Sequence, residues 1–547
     1  MIPDQLRLEV EDWIKHDPDR STALQLEKML SESDGSALEK CFSGFLKFGT
    51  AGLRGPIGPG PSCMNRAVVS RTATAIAKFM NKNDLNSVVI GRDARYGSED
   101  FAKDSAEIFA GAGITTYVLP RPLPTPVLAY AINKLKADVG IMVTASHNPP
   151  QDNGYKVYLG GTVNGVRYDG SQIIAPADKE ISHEIAQVPP LPTLKRSQGW
   201  KVLDEEIIEK YIRTTAALAD APADLSVVYT AMHGVGTETI EKVFAAAGFS
   251  PLILVPEQAH PDPDFPTVAF PNPEEPGAID LALAKAQAVK ADLVIANDPD
   301  ADRCAAAIAD AHGKWRMLRG DEVGALLGEY IAGAGKKPGV IANSIVSSSI
   351  LKKIAEAHSY PFQETLTGFK WIAKIPNLVF GYEEALGYCV DSHSVNDKDG
   401  ISAALALTQL ALNLKKQGKT IDAYLDEIWS KYGYHATKQI SVRTTSVDDI
   451  TKVLGQIRAH VPESIGKFAV VKFEDLETPT DGLPPTNGVR FFLSGDVRVI
   501  IRPSGTEPKI KCYIEVVRKS EVSTAKAEAH QVMDSLDGDL RKLLTSA

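Results

Sequence analysis

The stretch Ser226-Val-Val-Tyr229, followed by Thr230-Ala-Met-His-Gly-Val-Gly236 and by Thr237 to Ala247 with Gly248 behind it, reads as a strand, a polar loop and a helix stopped by glycine. The same order occurs twice more. Ser87-Val-Val-Ile90 leads through Gly91-Arg-Asp-Ala-Arg95 into a helix from Ser98 to Ala112, stopped by Gly113. Gly339-Val-Ile-Ala342 leads through Asn343-Ser344 into a helix from Ser348 to His358. Strand, loop and capped helix is the half-unit of a layered α/β domain, and the unequal spacings point to three comparable domains, not a solenoid.

Toward the C-terminus the pattern changes to short alternating strands, Val470-Val-Lys-Phe473, Val497-Arg-Val-Ile-Ile501 and Cys512-Tyr-Ile-Glu-Val516, closed by a helix from Glu521 to Leu544. The fold class predicted is α/β: three similar α/β/α domains plus a smaller C-terminal α+β domain. The proline-rich connector Val188-Pro-Pro-Leu-Pro-Thr193 and junctions at Gly313 to Gly320 and Lys431 to Tyr434 divide the chain into 1–195, 196–316, 317–432 and 433–547. Leu6, Val10, Trp13 and Ile14 recur at helical spacing in a helical N-terminal segment, and His260 to Pro276 reads as an irregular, rigid surface segment.

Composition narrows the class. In 547 residues, 44% are hydrophobic and 23% charged, a globular balance, and 69 Asp+Glu against 59 Lys+Arg leave a net charge of -10. That charge argues against whole-surface attraction to nucleic acid or to a membrane. Ile401 to Leu414 is apolar but interrupted by Thr408, Gln409 and Asn413, so it reads as a buried helix and not a bilayer span. Asp4, Glu9, Glu11, Asp12 and Lys15 break any signal-peptide core, and five cysteines lie far apart with no C-x-x-C pair. A reduced, cytoplasmic, multidomain protein is the expectation.

Three segments carry chemistry. Val139-Gly-Ile-Met-Val143 delivers Thr144-Ala-Ser-His-Asn-Pro-Pro150, a loop that presents the Ser146 hydroxyl as a nucleophile or phosphoryl carrier, or is a Ser/Asn turn. Adjacent Ser146 and His147 point apart, and Gly-x-Ser-x-Gly is absent, which argues against a serine hydrolase. Asn297-Asp-Pro-Asp-Ala-Asp-Arg303 sets Asp298, Asp300 and Asp302 on a loop between apolar strands, where they can converge on one hard cation; the positions an EF-hand reserves for Gly and Glu hold Arg303 and Ala309. Arg502-Pro-Ser-Gly-Thr-Glu-Pro-Lys509 offers Arg502, Ser504, Thr506 and Lys509 as donors, with Gly505 letting backbone amides approach a phosphate; a plain hairpin turn is the competing reading. Further loops hold Arg54 (Lys47 to Gly55), Lys156 (Asn153-Gly-Tyr-Lys156), Lys370 (Thr367-Gly-Phe-Lys370), Glu383 and Glu384 (Gly381 to Gly387) and Lys398 (Asp397-Lys-Asp-Gly400).

Together and in this order, the segments resemble the α-D-phosphohexomutase superfamily over about residues 40 to 520, most like the branch of phosphoglucomutase-2-type enzymes and phosphopentomutases. The resemblance implies four domains around a central cleft and a phosphosugar mutase. Such an enzyme moves a phosphoryl group between C1 and C6, or C5, of an aldose phosphate through a phosphoserine and a sugar bisphosphate. Glucose 1-phosphate is the first expected substrate, with phosphopentomutase, phosphomannomutase and glucose-1,6-bisphosphate synthase as alternatives. It implies Ser146 as the phosphoserine and, with Asp298, Asp300 and Asp302, a ligand of one Mg2+. Arg54, His147 and Lys156 would surround the transfer, with Lys156 a candidate general acid/base. Glu383 and Glu384 would hold the sugar. Arg502, Ser504, Gly505, Thr506 and Lys509 would hold its phosphate, and Arg303, Lys370 and Lys398 would add substrate contacts. A sugar bisphosphate is the implied activator, and the chain a monomer or homodimer. One departure stands out: Ala385 occupies a position where many glucose- and mannose-type relatives carry serine.

Overall fold

A computed structural model describes residues 2–49, 52–188, 194–220, 224–310, 312–335, 337–444, 447–480, 482–504 and 509–545. It comprises two compact units, Met1–Leu318 with Gly387–Leu412, and Arg319–Leu386 with Asn413–Ala547. The proline-rich connector at 189–193 and the loop residues Gly505 and Thr506 lie outside the described residues.

The first unit opens with three helices, Asp4–His16, Arg20–Ser31 and Gly35–Cys41. Asp19 and Asp34 cap the second and third by accepting from the Ser21 and Ala37 amides, and Ile2, Val10, Leu26 and Leu38 form a small core. A sheet follows in the order Gly52–Pro56, Asp152–Leu159, Val139–Val143, Ser87–Arg92, Thr115–Val118 and Lys201–Val202. Val139–Val143 is buried throughout, as a strand covered on both faces must be. It runs parallel to Ser87–Arg92 with Arg92 opposite Val143, so the two strands end together and their loops leave side by side. The chain returns antiparallel through Asp152–Leu159 with Lys156 opposite Met142, and Gly52–Pro56 flanks that strand with Arg54 opposite Gly154.

A second sheet of the same unit runs Ile253–Leu254, Val227–Thr230, Leu293–Ala296, Ala305–Ala309 and Trp315–Met317. Its first three strands are parallel; Leu293–Ala296 then turns back antiparallel with Ala296 opposite Ala305, making 297–304 a loop between buried strands. Residues 260–276 carry no helix or strand, yet Phe265 within them is buried under the Arg95 guanidinium at 4.8 Å, so the segment is not all surface. The helix Gly400–Lys416 buries Ile401, Ala404 and Leu405. No helix among the described residues is long and apolar enough to cross a membrane.

The second unit has a parallel arrangement of Phe362–Thr365, Val340–Ser344 and Leu378–Glu383, with helices Gly320–Ala334 and Ile350–Ala357. Asn343 and Ser344 belong to the strand and not to the loop after it. An antiparallel sheet follows, in the order Tyr434–Arg443, Lys509–Arg518, Val497–Pro503, Val489–Leu493, Phe468–Asp475 and Ser464–Ile465, with the helix Val522–Thr545 against its first two strands. These strands are longer than the apolar runs suggest. Lys509–Arg518 extends through charged residues because Glu515, though buried, is paired with Arg498 at 2.9 Å.

A candidate active site in the first unit

Ser146 leaves the end of Val139–Val143 with φ +53°, a left-handed conformation that costs a non-glycine residue on the order of 1–3 kcal/mol. Its amide donates to Thr144 Oγ1 at 2.9 Å, and Thr144 Oγ1 donates to Asp93 Oδ2 at 2.7 Å. The turn directs the Ser146 hydroxyl onto Asp298 Oδ2 at 2.7 Å, with His147 Nδ1 3.4 Å away. Sequence adjacency therefore does not keep His147 from Ser146, because the left-handed turn folds the two side chains together. The Asn148 amide oxygen accepts from Arg54 Nη1 at 3.0 Å.

The second sheet supplies the carboxylates. Gly234 lies so close to the 297–304 loop that a Cβ there would meet Pro299 Cα at 2.3 Å, and the Val235 amide donates to Pro299 O at 2.9 Å. Tyr229 donates to Asn297 Oδ1 at 2.9 Å, Asn297 Nδ2 to Arg303 O at 2.5 Å, and the Arg303 amide to Asp298 Oδ1 at 3.0 Å. One oxygen from each of Asp298, Asp300 and Asp302 lies within 4.8 Å of the others, all three residues being buried. Lys156 Nζ donates to Asp300 Oδ2 at 2.7 Å and Asp302 Oδ2 at 2.8 Å, and Lys398 Nζ is 3.5 Å from Asp302 Oδ2. Thr125 Oγ1 donates to Asp300 Oδ2 at 2.5 Å.

The donor set fits a hard divalent cation. Asp300 Oδ1 and Asp302 Oδ1 are buried with no hydrogen-bond partner among the described residues, a state that costs on the order of 1–3 kcal/mol per group unless something else binds them. The charges agree. Burial first, then Asp302 and Asp300, push the Asp298 carboxyl up to about 8, against the pull of Arg303 and the Ser146 hydrogen bond. Burial acts the same way on Asp302, but Lys156, Lys398 and Arg303 outweigh it and hold that carboxyl well below its ordinary range. Lys156 is raised: burial lowers it, and Asp300 and Asp302 more than reverse this, so it stays an ammonium. Burial first, then Arg303 and Arg54, hold His147 well below its usual value and therefore neutral. Burial also lowers Arg54, against the pull of Asp300.

Arg54, Ser146, His147, Lys156, Asp298, Asp300, Asp302, Arg303 and Lys398 thus converge in one unit. Lys370, Glu383, Glu384, Arg502, Ser504 and Lys509 belong to the second. There, Glu384 Oε2 accepts from Ser344 and Ser347 hydroxyls at 3.1 Å each. Tyr513 sits in the field of Glu384 and Glu383 and hydrogen-bonds Arg502, which brings these three candidates into one neighbourhood. Lys370 Nζ lies 5.8 Å from the Trp371 ring, and the Ser504 amide donates to Lys509 O at 2.8 Å beside the paired ends of Val497–Pro503 and Lys509–Arg518.

The sequence reading passed over Asp93, Arg95, Thr125 and Asn148. The register with Arg92 opposite Val143 brings the first two beside Ser146, and a strand-end pairing is the signal that could have found them.

Asp399 anchors the loop behind Lys398. It accepts from the Tyr211 hydroxyl at 3.0 Å and from the Ile401 and Ser402 amides at 3.0 Å each. Burial raises its carboxyl from 3.8 to about 6 against those hydrogen bonds. The folded state therefore keeps the proton between about pH 4 and 6 after the unfolded chain has lost it. Stability falls by about 3 kcal/mol as pH rises through that window and is flat above it. Asp399→Asn keeps an acceptor for the amides and removes the charge. Its Tm relative to wild type is expected to rise between pH 4.5 and 7.0 in thermal unfolding; a constant difference would refute this.

Models of one family match the chain in four consecutive pieces. They are the phosphoglucomutase/phosphomannomutase alpha/beta/alpha domain I over residues 46–188, domain II over 209–313, domain III over 319–432 and the C-terminal domain over 444–532. A "Probable phosphomannomutase" of Haemophilus influenzae is 48% identical over 486 residues, 88% of this chain and 98% of that one. A "Phosphopentomutase" of Pongo abelii is 35% identical over 600 residues, 97% of this chain and 95% of that one. A crystal structure of a phosphoglucomutase/phosphomannomutase family protein from Burkholderia thailandensis superposes with a TM-score of 0.70 at 18% identity, covering 91% of this chain and 98% of that one, and shares the fold. This chain belongs to the phosphoglucomutase/phosphomannomutase family and is an enzyme of the isomerase class.

Proposed function

We propose that the chain is a phosphosugar mutase that carries its phosphoryl group on Ser146 and moves phosphate between C1 and C6, or C5, of an aldose phosphate. The observation that carries this reading is the Ser146 hydroxyl, 2.7 Å from Asp298 inside a buried cluster of three carboxylates and two lysines. Asp298, Asp300 and Asp302 would hold Mg2+, with an oxygen of phosphorylated Ser146 beside them. When bound, Mg2+ would supply positive charge for the phosphoryl oxygens.

In the first half-reaction the Ser146 Oγ–P bond breaks and a bond from phosphorus to a sugar hydroxyl oxygen forms, the hydroxyl proton ending on the serine oxygen. In the second, the bond between phosphorus and the sugar's other phosphorylated oxygen breaks, the Ser146 Oγ–P bond forms again, and the serine proton ends on that sugar oxygen. Phosphoryl transfer demands little covalent chemistry, so positioning and charge dominate. Lys156, kept protonated by Asp300 and Asp302, and Arg54 neutralise the moving group; the Lys156 ammonium can also return a proton to the leaving oxygen. In the second unit, Glu383 and Glu384 would take the sugar. Arg502, Ser504, Gly505, Thr506 and Lys509 would take its phosphate, with Arg303, Lys370 and Lys398 as further contacts.

Glucose 1-phosphate is the first substrate of this reading. A pentose 1-phosphate is the second. It is supported by Ala385, which offers no hydroxyl in the sugar loop, and by the phosphopentomutase relative that spans the chain. The test is a coupled assay with Mg2+ on glucose, ribose and mannose 1-phosphates, with and without a hexose 1,6-bisphosphate. Isomerisation stimulated by the bisphosphate is expected, and kcat/KM names the sugar. Net bisphosphate synthesis from a separate donor, without isomerisation, would make the chain a synthase instead.

A further inference from the structure

We infer that Arg95 is a positioning residue for the phosphoryl-transfer reaction, a clamp that holds the Ser146 loop in its left-handed turn. The inference rests on Ser146 being the phosphoryl carrier. Arg95 is 4% exposed, and its guanidinium faces the loop's backbone, not the reacting groups. Nη2 donates to Ser146 O at 2.6 Å and Asn148 O at 2.7 Å; Nη1 donates to Pro149 O at 2.9 Å and Asp152 O at 3.2 Å. Four carbonyls from one loop therefore converge on one cation. They span the turn from the reactive serine to the start of the strand that carries Lys156.

The clamp is itself fixed. Arg95 Nε lies 3.2 Å from Asp93 Oδ2, the Arg95 amide donates to Asp93 Oδ1 at 3.1 Å, and Ser98 Oγ donates to Asp93 Oδ1 at 2.8 Å. Phe265 covers the guanidinium face at 4.8 Å. Asp93 also anchors Thr144, whose Oγ1 takes the Ser146 amide. One Asp93–Arg95 pair thus grips the Ser146 peptide from both sides, its amide through Thr144 and its carbonyl through Arg95.

The chemistry explains why arginine stands here. A planar guanidinium presents its N–H groups as a fixed fork, whereas a lysine ammonium has three donors on a flexible stem and cannot reach four carbonyls. A left-handed turn at a non-glycine residue is strained and persists only when its surroundings over-determine it. Without the fork, Ser146 relaxes to an ordinary conformation and its hydroxyl no longer meets Asp298. Because transfer depends on position, the loss falls on turnover and not on binding of the sugar phosphate.

The test uses the full chain and two independent variants, Arg95→Lys and Thr144→Val, with Thr144→Ser as the conservative rescue. Arg95→Lys is expected to lower kcat about 100-fold with KM within about threefold. Amide hydrogen exchange of the peptide covering 144–152 should rise about tenfold or more, with other peptides unchanged. Thr144→Val should follow it, and Thr144→Ser should restore both. Near-wild-type kcat and exchange in Arg95→Lys and Thr144→Val would overturn the inference. So would a uniform rise in exchange with kcat and KM worsening together, which marks a purely structural role. The exchange readout needs no activity. Faster loop exchange with no phosphate on Ser146 in the wild-type protein given hexose 1,6-bisphosphate would sink the mutase reading, and with it the role in transfer.

Discussion

Ser146→Ala is expected to lower isomerisation at least about 10,000-fold while leaving the fold intact, the scale of loss seen when an enzyme's nucleophile is removed. The hydroxyl makes one strong contact, its donation to Asp298 Oδ2 at 2.7 Å, and sits in a loop held by backbone groups that alanine keeps. Stability should therefore fall by no more than about 1–3 kcal/mol, the cost of leaving the buried Asp298 Oδ2 without its donor. Purified wild-type protein incubated with a hexose 1,6-bisphosphate should gain the mass of one phosphoryl group, and Ser146→Ala should not. Substrate binding measured by calorimetry should survive the substitution, because the groups proposed to grip the sugar and its phosphate lie on other loops. Measurable turnover in Ser146→Ala would end the phosphoserine reading outright.

Much of this site was legible because its chemistry is written in contiguous residues. Thr144 to Pro150 follows an apolar strand, and Asn297 to Arg303 sits between two; both appear in the structure as loops at strand ends. The repeated strand-loop-helix units declared the layered domains for the same reason, since burial on both faces leaves an uninterrupted apolar run. What stayed hidden depends on register. Arg95 and Asp93 lie some fifty positions from Ser146 and meet it only because Ser87–Arg92 pairs with Val139–Val143. Thr125 reaches Asp300 from a helix start in another layer. The C-terminal strands were read short for a related reason. A buried ion pair such as Arg498–Glu515 lets a charged residue occupy a core position, and apolar patterning cannot anticipate the partner.

Within the carboxylate triplet, two conservative substitutions should cost activity alike and stability in opposite senses. Asp298→Asn and Asp302→Asn each remove one of three charges proposed to hold the metal, and each should lower turnover at least about 1,000-fold, with the remaining activity needing far more Mg2+. Their other contacts differ. Asp298 pairs with no lysine among the described residues: its oxygens accept from the Arg303 amide and the Ser146 hydroxyl, and Arg303 Nε is 4.0 Å away. Asparagine can keep its oxygen on the Arg303 amide and turn its amide group to the serine oxygen, and it takes away the cost of ionising a buried carboxyl beside Asp300 and Asp302. The metal-free Asp298→Asn protein should therefore melt at or above the metal-free wild type. Asp302 is instead the counter-charge of two buried ammonium groups, Lys156 at 2.8 Å and Lys398 at 3.5 Å. Removing its charge strands part of that pairing, a change worth about 3–5 kcal/mol for buried ion pairs, so Asp302→Asn should melt well below wild type. Thermal unfolding of the three proteins in chelator, and again in Mg2+, separates the effects. The wild type should gain the most from the ion, because it alone offers all three carboxylates. Equal melting of the two variants in chelator would mean that Lys156 and Lys398 do not depend on Asp302, and the assignment of those lysines as its fixed partners would have to be abandoned.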